Sequence, residues 1–202
     1  MTEPADKRDQ RRTQILAAAK NVFAERGFHQ ASINDIIKRA DIARGTFYLY
    51  FAGKDAVFES ILDNAIDDLR GRIKPVQVGD GAQPPGVQLH ENVTRVLVYV
   101  LGDRDLIQLV LNHGLGPDSP LSQRVDAFFA HVSDLIEASL RYGMEMKLVR
   151  ECDAELVSQA ALGSLRGAVR HLIRQDKPLD IPEIAKQLID FALRGVVVPD
   201  RW

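Results

Sequence analysis

The stretch IARGTFYLYF, residues 42–51, holds Arg44-Gly45-Thr46 followed by four aromatics in five residues, Phe47, Tyr48, Tyr50 and Phe51. The chain has only eight Phe, four Tyr and one Trp, so nearly a third of its aromatics crowd into this segment. Core packing alone rarely asks for that density. On a helical wheel at about 100° per residue, Phe47 and Phe51 fall together on one face. Gly45 and Leu49 lie on the opposite ridge, with Arg44 and Tyr48 on one shoulder and Thr46 and Tyr50 on the other. The aromatics thus divide into two that enter a core and two whose hydroxyls face outward.

The flanking sequence supplies partners for that helix. Ile15, Leu16, Ala19, Val22 and Phe23 keep the rhythm of one helical face, and Gly27 stands where a glycine stops a helix. Ser32, with Asp35 three residues on, has the spacing of a capping box and predicts a second helix over Ile33–Ala40 that buries Ile33, Ile36, Ile37 and Ala40. Only Asp41-Ile42-Ala43 separates it from the quoted stretch. Two helices joined by about three residues form a helix-turn-helix, whose second helix enters the DNA major groove with its N-terminal residues. Arg44 suits a bidentate pair with guanine, Leu49 a thymine methyl, and the two tyrosines phosphate oxygens. A glycine inside a helix costs about 1 kcal/mol against alanine, so Gly45 calls for a reason. A bare ridge that lets backbone approach base edges is one. Lys54 opens a fourth helix marked by Val57, Ile61, Leu62, Ala65, Ile66 and Leu69, and it adds a cation and free amides for phosphate.

Residues 15–62 resemble the DNA-binding domain of the TetR family of transcriptional regulators. The resemblance rests on Arg26-Gly27-Phe28, Ser32 before Ile33, Gly45-Thr46-Phe47-Tyr48, and Tyr50-Phe51 followed by Lys54. It implies an all-α homodimer with an N-terminal three-helix DNA-binding domain and a C-terminal domain that binds ligand and dimerises. It implies DNA contacts at Ser32, Arg44, Gly45, Thr46, Tyr48, Leu49, Tyr50 and Lys54. Leucine at 49 and tyrosine at 50 depart from the tyrosine and histidine common there in the family.

Beyond the fourth helix, residues 74–88 are rich in Pro and Gly and read as a linker. Helices are expected near 89–101, 104–113, 121–142, 153–175 and 181–195. The domains are therefore expected at 1–53 and 54–202. Small residues at helical spacing, Ala160, Gly163, Ser164, Gly167 and Ala168, suit close helix packing, either within one chain or between subunits. The last helix carries an apolar stripe of Ile184, Leu188 and Ala192. Two such helices from each subunit would form the four-helix interface that the resemblance implies. An effector pocket would draw on Leu62, Ile66, Val96, Val100, Phe128, Val132 and Leu162, with Asn112, His113 and Arg166 as polar members.

Composition agrees with a soluble DNA-binding regulator. Residues 1–56 hold ten Lys/Arg against seven Asp/Glu, a formal +3, within a chain whose net charge is −2. The single cysteine, Cys152, excludes an internal disulfide or a multi-cysteine metal site, and a cytoplasmic setting is the default reading. No apolar run is long enough to span a bilayer. No metal-ligand spacing, phosphate loop or nucleophile elbow is present, so the enzyme reading has no motif behind it. No cofactor is expected. The partners expected are operator DNA, a small-molecule effector and a second copy of the chain. Repressor and activator remain open at this point, as does a dimer without ligand control.

Overall fold

A computed structural model describes residues 5–111, 120–175 and 177–196. The regular elements among them are all helices: α1 (Ala5–Arg26), α2 (Ile33–Ala40), α3 (Arg44–Tyr50), α4 (Lys54–Arg72), α5 (Pro85–Gly102), α6 (Arg104–Leu111), α7 (Pro120–Glu145), α8 (Ala154–Leu172) and α9 (Ile181–Val196). The chain is all-α, and its β-branched segment Val93–Leu101 lies within α5. The two largest differences from the sequence reading are at helix starts. α1 starts at Ala5, ten residues before its first apolar position. α5 starts at Pro85, so the linker is shorter than 74–88. A proline suits the first helical turn, where an N–H would have no partner anyway.

The chain divides into two compact units, the described parts of Met1–Ala65 with Asp103–Val125, and of Ile66–Gly102 with Asp126–Trp202. The residues of α4 and α7 are shared between them.

In the first unit, α1 packs on α2, and the core comprises Ile15, Ala19, Val22 and Phe23 of α1, Ile36 and Ala40 of α2, Phe47 of α3, and Val57 and Phe58 of α4. Phe28 fills the space between Phe23 and Phe58, its ring 5.2 Å from each. Aromatic contacts at that distance contribute about 0.5–1.5 kcal/mol beyond area burial. α6 also packs on α1, through an ion pair of Lys20 with Asp103 and a hydrogen bond from Asn21 to Asp105. Asp103 at the same time caps α6, accepting from the Leu106 amide at 3.0 Å. Arg124, early in α7, grips the start of α4 by donating to the Asp55 carbonyl and pairing with Glu59 at 2.8 Å.

In the second unit, α5 packs on α9 around Leu97, Ala185 and Ile189. Between α7 and α8 the hydroxyls of Ser133 and Ser158 meet at 3.0 Å in a buried site. α5 also ties down the connection from α4. The Asn92 amide takes both the N–H and the C=O of Lys74 at 2.8 Å, and Gln88, one turn earlier, does the same for Gln77. Gly143 near the end of α7 has no room for a side chain: a Cβ there would lie 2.6 Å from Val149. No helix among the described residues is long and apolar enough to cross a membrane.

Candidate nucleic-acid interface

The site begins where α1 stops. Gly27 takes φ +76°, a left-handed conformation that costs glycine little, and its N–H returns to the Phe23 carbonyl at 2.9 Å. The turn then delivers Ser32 as N-cap of α2. Its hydroxyl accepts from the Asp35 amide while the Asp35 carboxylate accepts from the Ser32 amide, the reciprocal box its spacing predicts. Bonds from Ser32 hold the Asp35 carboxyl below the usual carboxylate range, and Arg26 at 2.7 Å adds to the effect. A fork of Arg39 on Glu25, at 2.9 and 2.6 Å, fastens α2 to α1 and lowers the Glu25 pKa.

α2 ends at Asp41 in the left-handed region, φ 48°, which aspartate tolerates better than most residues. The Ile42 amide reaches back to the Ile37 carbonyl at 3.2 Å. That wrap satisfies the last carbonyls of α2 and turns the chain sharply into α3. Gln14 of α1 donates to the Ala40 carbonyl at 2.7 Å, pinning the same corner from the other side.

α3 presents the wheel read from its sequence. Phe47 is fully buried and Phe51, its C-cap, nearly so. Leu49 is 76% exposed and Tyr48 46%. Arg44 and Gly45 are exposed, while Thr46 and Tyr50 are half-buried. A Cβ on Gly45 would meet nothing within 4 Å, and its φ is not positive. Neither packing nor backbone within the chain requires glycine there. Arg44 is held in place, with its guanidinium donating to the Asn34 side-chain carbonyl at 3.1 Å and lying 5.7 Å from the Tyr48 ring centroid. Asn34 escaped the sequence reading, although its place in the first turn of α2 beside the cap was a signal. Together these groups give a protruding ridge: a planar five-donor fork, an apolar tip and a phenol.

Lys54, expected at phosphate from the head of α4, makes contacts within the chain. Its ammonium donates to the carbonyls of Phe28 at 2.6 Å, Ala31 at 3.0 Å and His29 at 3.4 Å, and lies 4.4 Å from the Phe28 ring centroid. Three donors thus meet three carbonyls of the turn that precedes Ser32. The half-exposed ammonium clasps that turn to the head of α4.

The residues expected around an effector divide by position. Leu62, Ile66, Phe128 and Leu162 are buried, and Val96, Val100 and Val132 half-buried. Arg166 is exposed, stacked 3.8 Å over the Phe129 ring. Asn112 and His113 lie outside the described residues. A surface cleft of about 460 Å³ between α5 and the connection before it is lined by Lys74, Gln77, Gln88, Glu91, Asn92 and Arg95, and by none of the expected residues. Of those expected at a subunit interface, Ala160, Gly163, Ser164, Gly167 and Ala192 are exposed, and Ala168, Ile184 and Leu188 half-buried.

A family model described as bacterial regulatory proteins, tetR family, matches residues 15–61. The chain is similar to the HTH-type transcriptional regulator YhgD of Bacillus subtilis (strain 168), 25% identical over 191 residues, covering 92% of this chain and 96% of that protein. Among solved structures it is similar to the fatty acid degradation regulator FadR from Bacillus halodurans, at 25% identity and a TM-score of 0.74, covering 91% of this chain and 98% of the other. The transcriptional regulator FadR from Bacillus subtilis, solved in complex with stearoyl-CoA, has the same fold at 22% identity and a TM-score of 0.73, with coverage of 91% and 98%.

Proposed function

We propose that this chain, which belongs to the TetR family of bacterial regulatory proteins and is a helix-turn-helix transcriptional regulator rather than an enzyme, binds a palindromic operator as a homodimer and is released by a small, largely apolar effector. The observation that carries the DNA reading is the α3 ridge. A leucine 76% exposed beside a fixed arginine, on a helix with a glycine its own fold does not need, makes sense against a partner. Arg44 and Leu49 read base edges; Thr46, Tyr48, Tyr50 and Ser32 hold the backbone, and Gly45 allows close approach. The test is enrichment of a random-sequence duplex library by the purified protein. A pseudo-palindrome should emerge, its half-sites about 34–36 Å or a multiple of that apart. An asymmetric single site, or no enrichment, overturns the reading.

Support for the dimer comes from α8 and α9. Gly163 and Gly167 have open space where a Cβ would stand, while Leu156 and Phe191 are 66% and 71% exposed. Bare backbone flanked by exposed apolar side chains suits a second copy of the same helices around a two-fold axis. The interface then comprises Ala160, Gly163, Ser164, Gly167, Ala168, Ile184, Leu188 and Ala192.

For the effector, the supporting feature is the apolar interior that includes Val96, Val100, Phe128, Val132 and Leu162. The stearoyl-CoA in the Bacillus subtilis FadR complex makes compounds with a long acyl chain, the apolar part of that molecule, the first to try. Repression follows if the effector-free form occupies the operator. Any true effector obeys reciprocity: operator DNA must weaken its binding by the factor by which it weakens operator binding, typically about 5–150-fold. Equal effector affinity with and without operator rules release out.

A further inference from the structure

The geometry points to a second DNA contact outside the helix-turn-helix: the basic first turns of α1 hold the phosphate backbone beside the operator half-site. The inference rests on the operator-binding reading above.

α1 begins ten residues before the family match at residue 15. Taking Ile15 as zero at about 100° per residue, the buried Ala19, Val22 and Phe23 fall within about 80° of it. Carried backward, the same face holds Arg8 at about 20°, Arg11 at about 40° and Arg12 at about 60°, with Lys7 at its edge near 80°. The acid among them, Asp9, stands about 120° away. The stripe that buries apolar side chains against α2 and α3 therefore turns basic where α1 overshoots them. Two contacts fix this end beside the recognition helix. The Arg12 guanidinium lies 5.6 Å from the ring centroid of Phe51, the C-cap of α3, and Gln14 holds the last carbonyl of α2.

Lys7 and Arg8 are exposed and enter no ion pair among the described residues. A solvated helix end gains nothing by placing cations on its core-facing side, with the acid turned away. A polyanion seated on α3 would meet them. Phosphate is the matching chemistry because the groups are cations on flexible stems with no shaped pocket, which position a protein without reading bases.

The test uses the full-length double variant Lys7→Gln/Arg8→Gln and the duplex sequences that the wild-type protein enriches from a random library. Each phosphate contact contributes about 0.9 to the slope of log affinity against log salt, and both subunits of the dimer carry the two substitutions, so the slope should fall by about 3.6. Binding should weaken roughly 100–1,000-fold near ~0.15 M salt, the counterion-release equivalent of four contacts, two from each subunit. The sequence motif should stay the same, since no base contact is lost. Lys7→Arg/Arg8→Lys, which keeps both charges, should restore wild-type slope and affinity. An unchanged slope in the glutamine variant overturns the inference, as does a changed motif, which would mean base reading. Both results presuppose that the wild-type protein enriches a sequence. If it enriches none, the operator reading itself has failed.

Discussion

Replacing Lys54 by methionine separates two roles that its position leaves open. Methionine keeps the packing of the stem on Phe28 and removes the three donors to Phe28, His29 and Ala31. A hydrogen bond to a charged group contributes about 1.5–3 kcal/mol net. The bonds at 2.6 and 3.0 Å qualify, while the third at 3.4 Å is near the limit. One half-exposed ammonium serves all three, so they do not add in full, and about 2–4 kcal/mol is the expected loss. In a chain of 202 residues, at about 2–4 °C per kcal/mol, melting should drop by roughly 5–15 °C. Operator binding, measured well below that melting point, should keep the wild-type salt slope, because no phosphate contact has gone. Lys54→Arg sharpens the contrast. It keeps the charge, but a planar fork on a longer stem cannot converge on the three carbonyls, so it should lose nearly as much stability. A Lys54→Met protein with wild-type melting and a salt slope lower by about 1.8, one contact from each subunit of the dimer, would refute the clasp and make Lys54 a phosphate ligand.

Three further substitutions probe other contacts. Asn34→Ala should weaken operator binding by freeing the Arg44 guanidinium, broadening preference at the base pair Arg44 reads by about 1–3 kcal/mol while leaving other positions alone; a selection profile identical to wild type would show that Asn34 does not orient it. Thr94 of α5 has a buried hydroxyl without a hydrogen-bond partner among the described residues, so Thr94→Val should stabilise the protein by about 1–3 kcal/mol, the cost of an unpaired buried group, and a lower melting point would reveal a partner. Because the folded pKa of Asp35 and of Glu25 lies below its ordinary value, the stability each confers is complete above about pH 5 and is lost as pH falls through the lowered folded value. Ser32→Ala, which removes the largest cause of the Asp35 shift, should cost about 0.5–2 kcal/mol at neutral pH and flatten the acid limb of melting temperature against pH; an unaltered limb would refute the linkage.

The DNA-binding helices were legible because each signal there is local. Capping depends on residues three apart, and the α3 face on residues four apart, so Ser32–Asp35 and Phe47–Phe51 could be read without tertiary knowledge. Two features were hidden for the opposite reason. The start of α1 at Ala5 has no apolar periodicity to announce it, since the stripe it continues is basic. The fate of Lys54 was set 23–26 residues away, by which carbonyls the turn after Gly27 presents. Charge and position give the same cue for a phosphate ligand as for a clasp, and the carbonyls of Phe28 and Ala31 could not be read from them. Residues for an effector are the hardest to read from sequence, because an apolar side chain lining a cavity has the same pattern as one filling a core.

What the chain does not explain by its own packing is the strongest guide to its partners. Glycine within a helix costs about 1 kcal/mol relative to alanine. A fold keeps it without loss where a side chain would collide, as at Gly143 against Val149. Gly45, Gly163 and Gly167 have no such neighbour, so alanine at each should stabilise the isolated chain. The three most exposed large apolar side chains among the described residues are Leu49, one turn from Gly45 on α3, Leu156 on α8, the helix of Gly163 and Gly167, and Phe191 on α9. On α3 and on α8 a missing side chain goes with an apolar one left in water, two costs that a contact from outside would offset together. The two kinds of surface then separate by charge. Leu49 stands with Arg44 and Tyr48, which suits an anionic groove, whereas Gly163 and Gly167 lie among Ala160, Ser164 and Ala168, which suits another helix of the same kind. Gly45→Ala and Gly167→Ala should therefore both raise the melting point of dilute protein, while the first weakens operator binding and the second shifts the dimer toward monomer in sedimentation. If either variant keeps its partner at full strength while gaining stability, the glycine has no outside contact to serve, and the partner assigned to that surface is wrong.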